Sequence, residues 1–350
     1  MARNYYDISN LLKTDADYMM LLGQRSNGKS YQTKETILKD AINNGIKFVY
    51  LRRWVADLKT KAVEDYFADM PLKKYAKEYD ELMAYRGYIY LVKKDKNGIV
   101  KKKLEIGRYC ALNEYERYKS QAFPNFRNIV YEEFITDALY LDDEPRLLQQ
   151  FVSTVLRLEK GKVFLIGNTL SRVCPYFHEW SLDGVLKQKQ GTIELYHYNT
   201  LDKHVVTIAV EYCANTNNEN VMFFGTASKQ IVSGEWDVHE YPRLIKKEYE
   251  YDMVYEILVK YQGFKFVVRL MVEPINGGKF LYVYPATKER DIYRIIQEEF
   301  SDQPNITCML DRNKKVEMMI IDCLRLNKIC YSDNLTGSDF NKVIENLKVC

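Results

Sequence analysis

An eight-residue stretch near the start of the chain has the residue types and spacing of a phosphate-binding loop. Residues 23–30 read Gly-Gln-Arg-Ser-Asn-Gly-Lys-Ser, after an apolar run and before a helix-forming segment. The glycines let backbone N–H groups turn inward around phosphate oxygens, and the helix that follows adds its positive end. Lys29 would reach the β- and γ-phosphates, and the Ser30 hydroxyl would face Mg²⁺. The residues predicted to contact nucleotide here are Gly23, Gln24, Arg25, Ser26, Asn27, Gly28, Lys29, Ser30 and Tyr31.

A pair of carboxylates follows another short apolar run, in the sequence Ile-Val-Tyr-Glu-Glu-Phe at residues 129–134. One carboxylate at a strand end can hold Mg²⁺, and a second can orient and activate a water molecule. We therefore assign Glu132 to the metal and Glu133 to the water, although two such glutamates alone are more often simply solvated. Asn168 follows the buried run 163–167 and would either sense the γ-phosphate or cap a turn.

The combination favours an ATPase over other nucleotide-binding proteins. A regulatory GTPase needs Asn-Lys-x-Asp to read guanine, whereas Asn327-Lys328 is followed here by Ile329-Cys330. A small-molecule kinase has no need of a glutamate that activates water.

The elements around these groups predict two domains. Strands alternate with helices up to about residue 200, which indicates an α/β P-loop NTPase domain of the RecA/ASCE type with a mainly parallel sheet over residues 1–200. Residues 201–240 read as a linker segment, and residues 241–350 as a smaller α+β domain. The pattern of that domain predicts strands at 252–259, 264–272 and 280–284, and helices at 288–300 and 338–348.

Composition sets further bounds on the function. The 51 basic and 48 acidic residues leave a formal charge of +3, so any contact with nucleic acid must come from local patches. Seven cysteines without a C-x-x-C pair, and four histidines without H-E-x-x-H spacing, are interpreted as structural. Since no run of 18 apolar residues occurs, the protein is expected to be soluble and to stay where it is made.

The chain resembles the genome-packaging ATPases of small tailed phages of the phi-29 type, which are relatives of the large-terminase motors. The resemblance covers residues 15–180 well and the remainder weakly. It rests on five segments in one order, namely Gly23–Tyr31, Phe48–Arg53, Lys119–Asn125, Ile129–Ile135 and Gly167–Phe177. The family has Asp then Glu after the acid strand, whereas this chain has Glu at both positions.

The resemblance implies an ATP- and Mg²⁺-dependent ring, expected to have five subunits, at the portal vertex of an empty capsid in the host cytoplasm. Its substrate would be double-stranded DNA, and participation of a structural RNA stays open. In such rings a neighbouring subunit supplies an arginine to each site, which the resemblance places at Arg157, with Lys119 as a second group acting on the neighbour. Arg52 and Arg53 would lie at the subunit interface or sense nucleotide. By itself, Arg157 reads as a solvated helix arginine.

A packaging motor must move DNA of any sequence, so it should contact phosphates and not base edges. The hairpin between Lys93 and Lys103 contains six lysines and one aspartate, and its Asn97-Gly98 turn is a strong hairpin signal. A simple solvated hairpin is the alternative. The DNA-binding candidates are Lys93, Lys94, Lys96, Lys101, Lys102 and Lys103.

The resemblance also implies that the C-terminal domain is ribonuclease-H-like and a vestigial nuclease. An active nuclease needs several carboxylates around two metal ions, and no compact acidic motif is present. The candidate acids are Glu256, Glu273, Asp291 and Asp311. Two other functions stay open at this point: a terminase-like motor with an active metal-dependent endonuclease, and a P-loop interaction platform with slow hydrolysis.

Overall fold

A computed structural model describes residues 5–157, 159–214, 235–236, 239–287, 294–295 and 310–346. The chain forms two compact units. The first comprises Met1–Thr136, Leu141–Leu170 and Leu182–Glu235, and the second comprises Asp137–Tyr140, Ser171–Ser181 and Trp236–Cys350.

The first unit is built on a nine-stranded sheet. Its strands are β1 (Tyr18–Leu22), β2 (Lys47–Arg52), β3 (Glu81–Tyr85), β4 (Tyr88–Lys94), β5 (Val100–Ala111), β6 (Phe126–Glu132), β7 (Lys162–Ile166), β8 (Thr192–Asn199) and β9 (Val205–Tyr212). They lie in the order β3-β4-β5-β2-β6-β7-β1-β9-β8. The six central strands are mutually parallel; they are β5, β2, β6, β7, β1 and β9. At one side of the sheet β4 pairs antiparallel with β5 and β3 with β4, and at the other side β8 pairs antiparallel with β9. This arrangement confirms the α/β class and the mainly parallel sheet.

The helices of the first unit cover the sheet because their apolar residues recur at helical spacing. They are α1 (Ser9–Lys13), α2 (Lys29–Asn43), α3 (Thr60–Tyr66), α4 (Leu72–Tyr75) and α5 (Glu144–Leu156). Helix α2 buries Ile37 and Leu38 in a core that includes Phe48, Val130 and Phe164 from three neighbouring strands. Continuous burial along β1, β6 and β7 is what a parallel sheet covered by helices requires.

The second unit is an α+β domain, as predicted. Its elements are α6 (Pro175–Glu179), β10 (Asp252–Tyr261), β11 (Phe264–Val272), β12 (Lys279–Pro285), β13 (Arg294–Ile295), α7 (Lys315–Arg325), β14 (Ile329–Tyr331) and α8 (Asn334–Asn346). Strands β10, β11 and β12 form an antiparallel meander, with β13 parallel to β10 and β14 parallel to β12. Side chains from α7 and α8, including Ile320 and Phe340, pack on the apolar face of this sheet.

Three features differ from the expectations drawn from sequence. The predicted linker at 201–240 contributes β9, which pairs with β1 in the main sheet, so the first compact unit extends to Glu235. Within the predicted helix 288–300, Arg294–Ile295 instead pairs with β10, and the other residues lie outside the described part. Helix α7 was not predicted. None of the helices in the described ranges is long and apolar enough to cross a membrane.

Candidate functional site

The loop between β1 and α2 has the backbone geometry that its glycines suggest. Gly23 and Gly28 have φ values of 136° and 102°, and Ser26 is also left-handed at 59°. A Cβ atom added to Gly28 would lie 2.8 Å from Cβ of Tyr5. Glycine is therefore required at position 28 both for its backbone angle and for its lack of a side chain.

The ammonium group of Lys29 is held inside this loop. Its Nζ donates to the carbonyl oxygens of Gly23 at 3.2 Å and Gln24 at 2.5 Å, and to Oδ1 of Asn168 at 3.3 Å. Lys29 is 4% exposed, and this burial lowers the pKa of its ammonium group to about 8. Lys29 and Asn168, which are far apart in sequence, are thus brought together.

Unsatisfied polar atoms line the same loop. Oε1 of Gln24 and Nδ2 of Asn27 are buried without a hydrogen-bond partner. Such atoms carry a free-energy penalty that a bound polar ligand can relieve. The ring of Tyr31 stacks on Tyr5 at 4.1 Å beside the loop, while Arg25 is exposed.

Glu132 ends β6 at the same edge of the sheet. Its carboxylate accepts a hydrogen bond from the Tyr66 hydroxyl at 2.6 Å, and the hydroxyl of Ser30 lies beside it. Burial raises the pKa of Glu132, against the opposing effect of these two hydroxyls and of the cations Arg52 and Lys29. The side chains predicted to serve Mg²⁺, Ser30 and Glu132, therefore lie next to each other at this edge.

Glu133 lies at a sharp turn beside this contact. Its φ is 58°, a left-handed value that costs free energy for a residue with a side chain. The side chain is exposed, and its Oε2 accepts from Nη2 of Arg52 at 2.7 Å. The turn therefore directs this carboxylate away from the core in which Glu132 is buried.

A buried ion pair holds the turn in place. Arg53 donates through Nε and Nη2 to both carboxylate oxygens of Glu144, at 2.7 and 3.0 Å. It also donates to the carbonyl oxygens of Glu133 and Phe134 at 3.2 and 2.7 Å. The Tyr131 hydroxyl donates to Oε1 of Glu144 at 2.7 Å. Arg53 is thus buried with its carboxylate partner inside the first unit, where it holds the turn that carries Glu133.

Arg157 and Lys119 lie at the edge of the sheet where the parallel strands begin, whereas the loop lies at the opposite edge, where these strands end. Arg157 directly follows the last residue of α5 and precedes β7, and Lys119 precedes β6. The loop follows the end of β1, and all three strands run parallel. Both side chains are exposed; Arg157 Nη2 reaches the carbonyl oxygen of Gln121 at 3.5 Å, and Lys119 Nζ pairs with Glu116 at 2.5 Å. Neither group can therefore join the site of its own chain.

The lysines of the β4–β5 hairpin are partly neutralised within the chain. Lys94 pairs with Glu81, Lys102 with Glu78, and Lys101 with Asp95. Of the six predicted DNA-binding lysines, three are therefore committed to carboxylates from the hairpin or its neighbours. Lys93, Lys96 and Lys103 have no such ion pair in the described part of the chain.

The acids of the second unit are engaged in separate ion pairs and hydrogen bonds. Arg269, at the middle of β11, binds both Glu256 and Glu248, and Glu273 pairs with Lys246. The Asp311 carboxylate accepts a hydrogen bond from the backbone N–H of Asn313 at 2.9 Å, and Asp291 lies outside the described residues. No group of three or more metal-binding side chains occurs among the residues that the structure describes.

Two residues of the site were not predicted from the sequence. Tyr66 belongs to α3, and only its contact with Glu132 reveals its role. Glu144 has the position of an ordinary acid in the first turn of a helix. No linear motif connects either residue to the loop, so only tertiary packing shows them.

Comparison with known proteins agrees with this fold. The model of the podovirus DNA encapsidation protein (Gp16) family matches residues 2–334. The chain belongs to that family. It is 30% identical over 177 residues to the DNA packaging proteins of Bacillus phages PZA and phi29, and the match covers 49% of this chain and 49% of each relative. The chain thus spans about half the length of the curated relatives that it matches.

Solved structures show the same fold over nearly the whole chain. The bacteriophage phi-29 viral genome packaging motor assembly aligns with 98% of this chain and 99% of its own, with a TM-score of 0.58 and 19% identity. The phi-28 gp11 DNA packaging motor aligns with 100% of this chain and 99% of its own, with a TM-score of 0.53 and 18% identity. Both parts of the chain are therefore included in the shared fold.

Replacing Glu144 by glutamine should destabilise the first unit strongly. The change keeps the shape of the side chain but removes the anion that pairs with the buried guanidinium of Arg53, and breaking a buried ion pair costs about 3–5 kcal/mol. Urea unfolding measures the loss. The control is Glu159→Gln, which breaks an exposed pair with Arg127 and should cost no more than about 1 kcal/mol. Equal stability of the two variants would contradict the role of the buried pair.

Proposed function

We propose that this chain is the ATP-hydrolysing subunit of a ring motor that moves double-stranded viral DNA into a preformed capsid through the portal vertex. One observation carries the proposal: the Lys29 loop and the Glu132–Glu133 strand end meet at one edge of a parallel sheet. Membership in the encapsidation family supports viral DNA as the substrate and the capsid portal as the place of action. The portal and neighbouring copies of the chain would be its partners, and the host cytoplasm its location.

The donor set at this edge suits Mg²⁺ and a nucleotide triphosphate. Mg²⁺ prefers hard oxygen ligands and usually binds through one or two carboxylates together with phosphates. Ser30 and Glu132 would hold the ion, and the amides of the loop, Lys29 and Asn168 would hold the phosphates. The bound ion would neutralise charge that develops on the phosphates.

Glu133 is placed to act on the attacking water. Its exposed carboxylate projects from the edge where the γ-phosphate would lie, and the strained turn keeps it separate from Glu132. The guanidinium of Arg52 donates a hydrogen bond to the carboxylate of Glu133 and fixes its direction. As a base of this kind, Glu133 would orient the water and withdraw its proton.

The edge that carries Arg157 and Lys119 supports a ring in which each ATP site is formed by two neighbouring copies. Arg157 and Lys119 are exposed together near Gln121, away from the loop of their own chain. A head-to-tail arrangement would bring this edge to the loop of the next copy, where two cations would stabilise the phosphoryl group in transfer. Five copies are expected from the family resemblance.

The second unit favours a motor without nuclease activity. In the arrangement described, the guanidinium of Arg269 compensates Glu256 and Glu248, which leaves those carboxylates engaged. A two-metal nuclease would need free carboxylates converging on the ions. We therefore assign this unit a docking or nucleic-acid-contacting role, in keeping with a ribonuclease-H-like domain that has lost its metals.

The Glu133→Gln variant should bind ATP but fail to hydrolyse it. The amide keeps the size of the side chain and loses its basicity, so turnover should fall by a factor of about 10² to 10⁴. ATP binding by fluorescence and phosphate release measure the two properties. Lys29→Ala serves for comparison and should lose both. Normal turnover by Glu133→Gln would contradict the assignment, and weak turnover by the wild type even with DNA would favour the interaction platform.

The Tyr66→Phe variant should weaken the Mg²⁺ dependence of nucleotide binding. The hydroxyl that positions Glu132 is lost while the ring still stacks on Tyr50 at 4.4 Å. Loss of a group that orients a metal ligand typically weakens metal affinity about 10-fold or more. Titration of Mg²⁺ against a fluorescent ATP analogue measures the change. Tyr75→Phe removes a similar bond to Glu35 and should leave the titration unaltered; equal curves for both variants would exclude the role of Tyr66.

Mixing two inactive variants should restore ATPase activity if sites are shared between subunits. Arg157→Ala subunits keep an intact loop and Glu133, while Glu133→Gln subunits keep Arg157. A site is complete when an Arg157→Ala subunit supplies the loop and Glu133, and a neighbouring Glu133→Gln subunit supplies Arg157. Phosphate release at several mixing ratios measures the recovery. Mixtures of Glu133→Gln with a chain carrying both changes should stay inactive, and an absence of recovery in the first mixture would argue against sharing.

A further inference from the structure

A pocket in the first unit, away from the nucleotide loop, has a strongly basic lining. Its volume is about 270 Å³, and it lies between the turn before β4, the end of β5 and the segment that follows. Three arginines, Arg86, Arg108 and Arg117, line it against a single carboxylate, Glu114. Glu114 pairs with Arg117, so two positive charges of the lining are not compensated by it.

Arg108 is the most enclosed of these arginines. Its guanidinium donates to the Tyr88 hydroxyl at 3.0 Å and to Oε1 of Gln121 at 3.3 Å, and it lies over the rings of Tyr88 and Phe123. Its Nε is buried without a hydrogen-bond partner. All of its described polar partners are neutral, and no carboxylate in the described part of the chain lies within ion-pair distance.

The contrast with Arg53 shows what is missing. The chain supplies Arg53 with a bidentate carboxylate, whereas it gives Arg108 only a hydroxyl and an amide oxygen. A partly buried cation without an anion is unfavourable, and a planar guanidinium is suited to phosphate. An anion from outside the chain is therefore the natural occupant of the pocket.

The basic character continues from the pocket along one face of the hairpin. Tyr88 and Tyr90 stand side by side on β4 with ring centroids 6.0 Å apart. Arg108 lies 4.5 Å over the first ring and Lys103 lies 3.5 Å over the second. Unlike Lys94, Lys101 and Lys102, neither of these two cations has a described carboxylate partner.

We propose that this surface, consisting of the Arg108 pocket and the Tyr88–Tyr90 row, binds phosphate groups of a double-stranded DNA backbone. It rests on the proposed function for its choice of DNA as the ligand. A cation already covers one face of each tyrosine ring, so stacking of single-stranded bases on that face is disfavoured and phosphate contact is favoured. The pocket is large enough for a phosphate group.

The test measures the binding of a short DNA duplex to the full chain over a range of salt concentrations. Each phosphate contact contributes about 0.9 to the slope of log affinity against log salt. Arg108→Gln should make that slope shallower by about 0.9 and reduce affinity about eightfold at 0.1 M salt. Arg108→Lys keeps the charge and should retain most of the slope. Lys102→Gln removes a lysine already paired with Glu78 and should change the slope less than Arg108→Gln does.

Thermal melting and sedimentation of each variant separate the outcomes. A folded Arg108→Gln protein with the affinity and slope of the wild type would overturn the proposal while leaving the motor function standing. Reduced self-association with unchanged DNA binding would also overturn it, because the pocket would then hold a carboxylate of a neighbouring copy. If the wild-type chain binds no duplex at any salt concentration, with or without an ATP analogue, both proposals are contradicted: DNA binding at the Arg108 pocket and the motor function.

Discussion

The parallel pairing of β6, β7 and β1 is the constraint on which the candidate site depends. Phe164 of β7 lies level with Met19 on one side and Val130 on the other, so the three strands end at nearly the same height. Because they run in one direction, the groups that follow them emerge at a single edge. The loop ending at Lys29, the acid Glu132 and the amide of Asn168 meet there for that reason alone.

Each charged side chain buried at this edge has polar partners within the chain. Lys29 donates to two carbonyl oxygens of its own loop and to the amide of Asn168, Glu132 accepts from the Tyr66 hydroxyl, and Arg53 pairs with Glu144. The hydroxyl that α3 supplies to Glu132 is that of Tyr66. A preorganised polar shell of this kind limits the reorganisation needed when a charged ligand enters.

The parts of this molecule that sequence predicts well are those encoded over short distances. The phosphate loop, the acid strand end and the lysine hairpin each follow from consecutive residues, because local backbone angles and strand alternation determine them. Pairings between distant residues do not follow from such patterns. Neither the contact of Tyr66 with Glu132 nor that of Glu144 with Arg53, 91 positions away, has any local signature.

The errors have the same origin. Residues 201–240 look like a linker because β9 lies beyond a polar turn, and only its pairing with β1 places it in the sheet. The periodicity around Arg294 suggests a helix, but tertiary pairing with β10 overrides that preference. The ion pairs of Lys94 and Lys102 also lack a local signature, because their partners Glu81 and Glu78 belong to a preceding segment.

The separation of the Lys29 loop and the Arg157 turn onto opposite edges of one sheet bears on how copies would assemble. A contact between unlike surfaces repeats from copy to copy, and it closes only when successive rotations add up to a full turn. The inclination between the two edges, and not any single side chain, would then set how many copies complete the circle. A substitution that tilts β7 against β1 could change this stoichiometry while leaving the chemistry of every site intact.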